Sequence, residues 1–232
     1  MKRLLIFLVF LPFSIFAQNE KPKSGYLIYY DLDYCSKFIK SGADKQIAQQ
    51  FRDLERSDWG NSYGLVRLQQ LPNPKLSVEF GIGISRRKIT THPVDSIFLD
   101  GIFYPDASFV HDYIYEYFSI PLQLNYVFFN RPKLTMTTSF GINWNIVKYT
   151  SHNFIFVKGD VSYPTGANTF PFKNDVSIGL GIGLKYKVFK RIHLEIKPNV
   201  KQAISSGESH HYFKSYFNTL GIQMGIIILG RK

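Results

Sequence analysis

Cysteine is nearly absent. Cys35 is the only one in 232 residues, which excludes an internal disulfide and leaves that thiol the role of a small buried residue. Charge is scarce too, at 19% of residues, below the usual quarter. Acids are the scarcer sign, 17 Asp and Glu against 28 Lys and Arg. Beyond the first segment no stretch holds eighteen consecutive apolar residues, so the sequence offers no spanning helix. What is abundant is apolar and aromatic: 45% of residues are hydrophobic, and 21 Phe and 15 Tyr lift aromatics to 16%. That composition is too apolar for a disordered chain. It suits a protein that gives much of its surface to something other than water. The length fits one domain.

The first residues read as a secretory signal peptide spanning 1–17. Lys2 and Arg3 form a basic start, Leu4–Phe16 is apolar, and Ala17 is a small residue before Gln18. The alternative, a membrane anchor, needs about 20 apolar residues. Without Lys2 and Arg3 the 28 basic residues become 26 against 17 acidic ones, a net +9. Cys35 lies too far from such a cleavage point to be a lipidated first residue. Residues 18–25 are then a short N-terminal segment, and 26–232 the folded unit.

From Tyr26 onward the pattern has period two. Leu134, Met136, Thr138, Phe140, Ile142, Trp144 and Ile146 share one face, opposite Thr135, Thr137, Ser139, Gly141, Asn143 and Asn145. The same holds for Val176–Val188, whose other face is Ser177, Gly179, Gly181, Gly183, Lys185 and Lys187, and for Leu220–Ile228, where Ile227 breaks the alternation. Eight such segments are predicted: Tyr26–Phe38, Ser62–Leu71, Lys75–Thr91, Tyr113–Phe129, Lys133–Thr150, Asp175–Phe189, Ile192–Gln202 and Tyr216–Leu229. Most exceed the usual ~5–6 residues of soluble strands and reach the ~9–11 that cross a bilayer at a tilt. Short turns at Pro72–Pro74, Asn130–Pro132 and Phe189–Arg191 alternate with long loops at Ile39–Asn61, His92–Asp112, Ser151–Asn174 and Ala203–Ser215. All long loops then fall on one side and both termini on the other. This is the layout of an all-β, closed antiparallel eight-stranded transmembrane β-barrel in the outer membrane of a Gram-negative bacterium.

A soluble barrel that binds an apolar ligand would alternate as well, with its apolar face inward. Two features favour lipid outside. The non-apolar face carries Gly at alternate positions, which a water-facing strand has no physical reason to hold and a crowded lumen has. The apolar face is nearly free of charge, and Tyr26, Tyr34, Tyr126, Phe128, Tyr149, Tyr186 and Tyr216 gather near strand ends, as interfacial girdles do. Pro121 and Pro198 inside strands require local exceptions in the ladder.

The run Tyr117-Phe118-Ser119-Ile120-Pro121-Leu122-Gln123-Leu124-Asn125-Tyr126 resembles the Tyr-x-x-Ile-Pro-Leu-x-x-x-Tyr strand of the PorT-like outer-membrane β-barrel domain family of Bacteroidota. Ser139-Phe140-Gly141-Ile142-Asn143 resembles that family's next strand, and Phe16-Ala17-Gln18 its signal end. The resemblance covers roughly residues 26–230. It implies the barrel fold and outer-membrane location and no particular activity. Some members are linked to secretion and gliding machinery. The chain departs from barrels that end in an aromatic residue, closing instead on Leu229-Gly230-Arg231-Lys232.

Chemical motifs are weak. Gly179-x-Gly181-x-Gly183 and Gly81-x-Gly83 have strand spacing and no following helix, so they are not nucleotide loops. His92, His111, His152, His210 and His211 fall in or beside the long loops, and Ser209-His210-His211 with Glu208 suggests either a lipid-modifying hydrolase or a metal site; the bland alternative is polar loop residues. No catalytic residue, metal ligand or cofactor is assigned, and no nucleic-acid partner. The expected partners are outer-membrane lipid and lipopolysaccharide, with a possible protein partner at the loops, around a monomeric barrel.

The inward charges are more informative. They are expected at Asp31, Asp33, Arg67, Glu79, Lys185, Lys187, His193, Glu195, Lys197 and Lys201. Eight strands leave an interior only wide enough for side chains, so charges there must pair and plug the lumen. Two registers follow from the turns. Across Pro72–Pro74, residue numbers summing to 146 put Arg67 opposite Glu79 inside and Val66 and Leu68 on the lipid face. Across Phe189–Arg191, a sum of 380 puts Lys185 opposite Glu195 and Lys187 opposite His193. Finally, Ala43–Arg56 has helical spacing: Ile47, Phe51 and Leu54 form one apolar face. The segment is either a cap on the barrel mouth or a docking surface for a partner or the lipid interface.

Overall fold

The computed structural model describes residues 24–41, 45–99, 102–156, 162–165, 174–205, 208–209 and 213–230; the leader segment lies outside these. The elements in chain order are β1 (Ser24–Ser41), α1 (Lys45–Leu54), β2 (Glu55–Gln70), β3 (Leu76–Thr91), β4 (Val94–Leu99), β5 (Ile102–Asn130), β6 (Leu134–Phe156), β7 (Ser162–Thr165), β8 (Asp175–Lys187), β9 (Ile192–Ala203), β10 (Glu208–Ser209) and β11 (Phe213–Leu229). Eight long strands close a ring in the order β1-β2-β3-β5-β6-β8-β9-β11, every neighbour antiparallel, with β11 returning to β1.

The closure has a definite stagger. Starting at Gly25, the paired residues run Leu68, Glu79, Gln123, Gly141, Gly179, Lys201, Thr219 and back to Cys35 on β1, ten residues from the start. An even stagger returns each side chain to its own face, and a shear of this kind requires tilted strands, typically ~35–45°.

Three tight turns join the strands at one end, where both termini of the described barrel also lie. The other end carries the long connections. These are more regular than the sequence implies: β2, β5 and β6 run on well past the expected segments, β4 folds back on β5, β7 on β6 and β10 on β11. The extended ladders satisfy backbone groups that irregular loops would leave to water. α1 sits in the first long connection, and the backbone N–H of His92 donates to the Leu54 carbonyl at 2.8 Å, tying its end to the close of β3.

The surface is inside-out for water. Phe140, Ile142 and Trp144 on β6 are 51%, 43% and 52% exposed, and Leu180 and Ile182 on β8 57% and 55%, whereas Asp31, Glu79, Glu195 and Lys197 are buried to 2% or less. Along β1 the outward residues from Ile28 to Phe38 rise about 25 Å at ~3.3 Å per residue and ~40° of tilt, the height of a transmembrane apolar band. Tyr26, Tyr126, Phe128 and Tyr186 ring its lower edge and Tyr149 stands at its upper one, all exposed. The chain is a transmembrane β-barrel.

Both prolines are accommodated without a bulge at their own position. The β3–β5 ladder skips from Phe80–Leu122 to Gly83–Ser119, around Pro121, while Pro121 keeps its pairing with Asn143 on β6. Likewise the β8–β9 ladder skips from Gly181–Asn199 to Leu184–Ile196, around Pro198, which stays paired with Ile222 on β11. Each missing N–H interrupts one side of its strand only.

The register across β2–β3 corrects the sequence expectation. Leu68 pairs Glu79 and Arg67 pairs Phe80, a sum of 147. The turn holds four residues, because Leu71 donates to the Leu76 carbonyl at 2.9 Å while Leu76 donates back to Asn73 at 2.9 Å. The shift places Val66 and Leu68 in the lumen and Arg67, exposed, on the outer face. Across β8–β9 the expected register holds: Lys185 pairs Glu195, Lys187 pairs His193, and Val188 donates to the Ile192 carbonyl at 3.0 Å.

An apolar outer band rejects charge. Ile142→Arg and Ile182→Arg should each cost about 2–4 kcal/mol if near the midplane, read as a lowered unfolding midpoint in lipid vesicles. Wild-type stability for both in lipid would contradict the assignment of that face.

Candidate functional site

The lumen gathers the polar chemistry of the molecule. At the short-turn end it is closed by Leu27, Val66 and Ile227, at 0%, 3% and 2% exposure, with Tyr29 and Leu229 packed against them. This explains why Ile227 breaks the alternation of its strand: it faces inward on purpose of packing, not lipid. Tyr29 lays its phenol along the neighbouring strands β2 and β3, over its paired residue Gly64 and over Gly83, whose Cβ positions would lie 2.8 and 2.6 Å from its hydroxyl. Glycine is required there because the ring occupies the side-chain space.

Above this floor lies a first tier of ion pairs. Lys185 Nζ stands 3.5 Å from Glu79 and 3.3 Å from Glu195, and Lys197 Nζ is 3.7 Å from Glu79. Lys197 also donates to the Gln123 side-chain oxygen at 2.9 Å. Glu195 is held chiefly by the charge of Lys185, since among the described residues neither carboxylate oxygen has a hydrogen bond of good geometry. Thr137 and Glu195 crowd the space beside Gly183, where a Cβ would come 2.5 Å from the threonine hydroxyl.

The second tier is centred on Lys201, which bonds Asp31 at 2.5 Å and Asp33 at 3.0 Å. The Asn199 amide donates to both Asp31 oxygens at 3.1 and 3.2 Å, and Ser62 donates to Asp33 at 2.7 Å. Two acids one inward step apart on β1 thus share one ammonium and are relieved by amide and hydroxyl donors, which is what buried carboxylates need.

The third tier lies toward the long loops. Arg87 forms a two-armed contact with Asp175 at 2.6 and 3.3 Å, and Asn145 donates to the same carboxylate at 2.6 Å. The guanidinium also lies 4.6 Å from the Tyr117 ring centroid and 5.0 Å from that of Phe217, a cation–π arrangement. Around it Cys35, Ile89, Tyr115, Tyr117, Ala203 and Phe217 form a buried apolar cluster. Tyr115 meets Phe217 edge-on at 5.0 Å. This cluster lies on the long-loop side of the lumen.

Between the two clusters lie cavities of about 30 and 20 Å³, sharing Gln123, Asn143, Lys201 and Gln223 in their walls. Each has room for a water or two.

Of the residues singled out in the sequence, Asp31, Asp33, Glu79, Lys185, Glu195, Lys197 and Lys201 converge in the lumen. Arg67 does not. Lys187 and His193 pair at the short-turn rim, where Lys187 is exposed. Arg87 and Asp175 belong to the network although the sequence does not mark them; continuing the inward alternation from Glu79 through Gly81, Gly83 and Ser85 reaches Arg87. Of the docking candidates, Leu54 is half-buried at the end of α1, and the Ile47 and Phe51 side chains lie outside the described set. His111 stacks on Tyr113, while His210 and His211 lie outside the described residues. Among the described residues no three His, Cys, Asp or Glu side chains converge as metal ligands.

Removing one member of a buried pair strands the other. Arg87→Met and Asp175→Asn should each cost about 3–5 kcal/mol, and the double change less than their sum. Denaturant unfolding in detergent checks this; additive losses would show the two side chains to be uncoupled.

No protein-family model and no curated protein matches the chain. Among solved structures it is similar to the outer membrane protein OprG from Pseudomonas aeruginosa, at TM-score 0.47 and 12% identity over 92% of this chain and 99% of that one. It is also similar to Neisserial surface protein A, at 0.41 and 10% over 87% and 96%, and to the outer membrane protein AlkL, determined in lipid bilayers, at 0.42 and 11% over 93% and 95%.

Proposed function

We propose that the protein is an integral outer-membrane barrel with a plugged lumen, a scaffold or binding protein that works through its long loops. The observation that carries this reading is the filled interior: three tiers of ion pairs between an apolar floor and an aromatic roof, with residual cavities of about 30 and 20 Å³. Such an interior leaves no route for a solute. Opening one would mean separating buried pairs at about 3–5 kcal/mol for each stranded partner. Recognition is then left to the exterior. The long-loop end is the part built for it, with α1 and the extra strands β4, β7 and β10 standing on the barrel rim. Export by the leader at residues 1–17, residence in the outer membrane and contact with lipopolysaccharide belong to the same reading, as does Bacteroidota-type ancestry.

Reconstituted into planar bilayers, the protein should show no steady conductance, and crosslinkers placed in the first long connection should capture a partner in cells that those placed in the short turns do not. A sustained open channel would refute the plug, and capture from the short turns alone would refute the loop assignment.

A further inference from the structure

Among the described residues the exposed charge at the short-turn end is of one sign. Lys75 stands in the first turn, Arg131 and Lys133 flank Pro132 in the second, and Lys190 and Arg191 form the third, all exposed. Arg67 joins them from the outer wall of β2, opposite Tyr26 of the girdle. Among the described residues no exposed carboxylate stands at this end: the nearest acids, Glu79 and Glu195, are turned into the lumen at 2% and 1% exposure. The long-loop end differs, since its cations meet acids there, Lys148 on Glu116 at 2.6 Å and Lys88 on Asp58 and Asp112 at 3.0 and 3.2 Å.

Three features fix what these cations face. They lie on all three turns and on the barrel wall, so they encircle the end rather than mark one patch. They sit at the edge of the apolar band: the Arg131 guanidinium is 5.7 Å from the Phe129 ring, and Phe189 beside Lys190 is 65% exposed. The turns are too short to carry them further out, the four-residue turn being the longest. Aromatic rings at the band edge with Lys and Arg just beyond mark headgroup depth, and cations there attract anionic lipid.

Resting on the membrane reading above, we infer that this end is a cationic collar that binds the phosphates of anionic phospholipid in the leaflet on the short-turn side. Each ammonium or guanidinium meets a headgroup phosphate at the level where the apolar band ends, and the lipid ring neutralises an end at which the described residues expose no carboxylate.

The test uses the full barrel in vesicles of phosphatidylcholine doped with spin-labelled phosphatidylglycerol or spin-labelled phosphatidylcholine. The motionally restricted boundary layer should be enriched in phosphatidylglycerol about twofold or more, and 1 M salt, with a Debye length of about 3 Å, should remove most of that preference. The variants K75Q/R131Q/K133Q and R67Q/K190Q/R191Q should each weaken it while circular dichroism shows an intact barrel. The salt arm needs only the native chain, so it stands even if a variant folds poorly. Equal boundary lipid in both cases, or a preference indifferent to salt, would overturn the collar. Retention of the detergent-solubilised barrel on polyglutamate without any phosphatidylglycerol preference would assign the end to an acidic polymer and overturn it as well. A barrel that fails to enter phosphatidylcholine vesicles at all would instead refute the membrane reading.

Discussion

In hydrocarbon an unpaired peptide N–H or C=O costs several kcal/mol, and no water is present to relieve it. A sheet in a bilayer must therefore have no edge, and the rest of this structure follows from that. Eight strands return on themselves with a stagger of ten residues between Gly25 and Cys35 on β1. Once the ring is closed, alternation sorts side chains into two solvents, lipid outside and a narrow interior. The prolines show how strict the constraint is. Pro121 and Pro198 each break the ladder toward one neighbour and keep it toward the other.

The interior is the costly half. A barrel of this size has space only for side chains, and the face turned inward mixes Gly, Ser, Thr and Asn with charges. The arrangement resolves the conflict by stacking. An apolar cluster packs at one end, paired charges occupy the middle, and an aromatic cluster surrounds the Arg87–Asp175 pair toward the other. Charges kept from water this way add little net stability but penalise rearrangement heavily. The two ends of the barrel differ in chemistry. One end carries a helix, extra strands and ion-paired rims; the other carries short turns whose exposed charges, among the described residues, are all cationic.

Much of this was legible in the sequence because period two is a strong signal when it lasts for a dozen residues. Phe140, Ile142 and Trp144 against Gly141, Asn143 and Asn145 can be arranged in only one way once lipid is the outer solvent. The β2 segment was not legible, because apolar residues occur on both of its faces: Val66 and Leu68 are buried on the inner face while Tyr63 and Leu65 face out. Turn length then decided the face, and Lys75 belongs to the turn, where its N–H donates to the Asn73 side chain at 3.0 Å. Arg87 was hidden in Arg86-Arg87-Lys88, a run that reads as solvated surface although its middle member is buried. Asp175 opens its strand next to a long connection and reads as a loop end. The long connections themselves carry little periodic signal, and their extra strands form because neighbouring strand ends offer unpaired backbone groups.

The central claim is that the outer face lies in hydrocarbon while the charges lie inside the ring. Trp144, 52% exposed on β6, reports on it directly once the other tryptophan is removed as Trp59→Phe. In vesicles containing lipids brominated along the acyl chain, Trp144 emission should be blue-shifted, strongly quenched by bromine and protected from aqueous iodide. Emission that iodide quenches freely and brominated chains leave untouched would place that face in water and contradict the account.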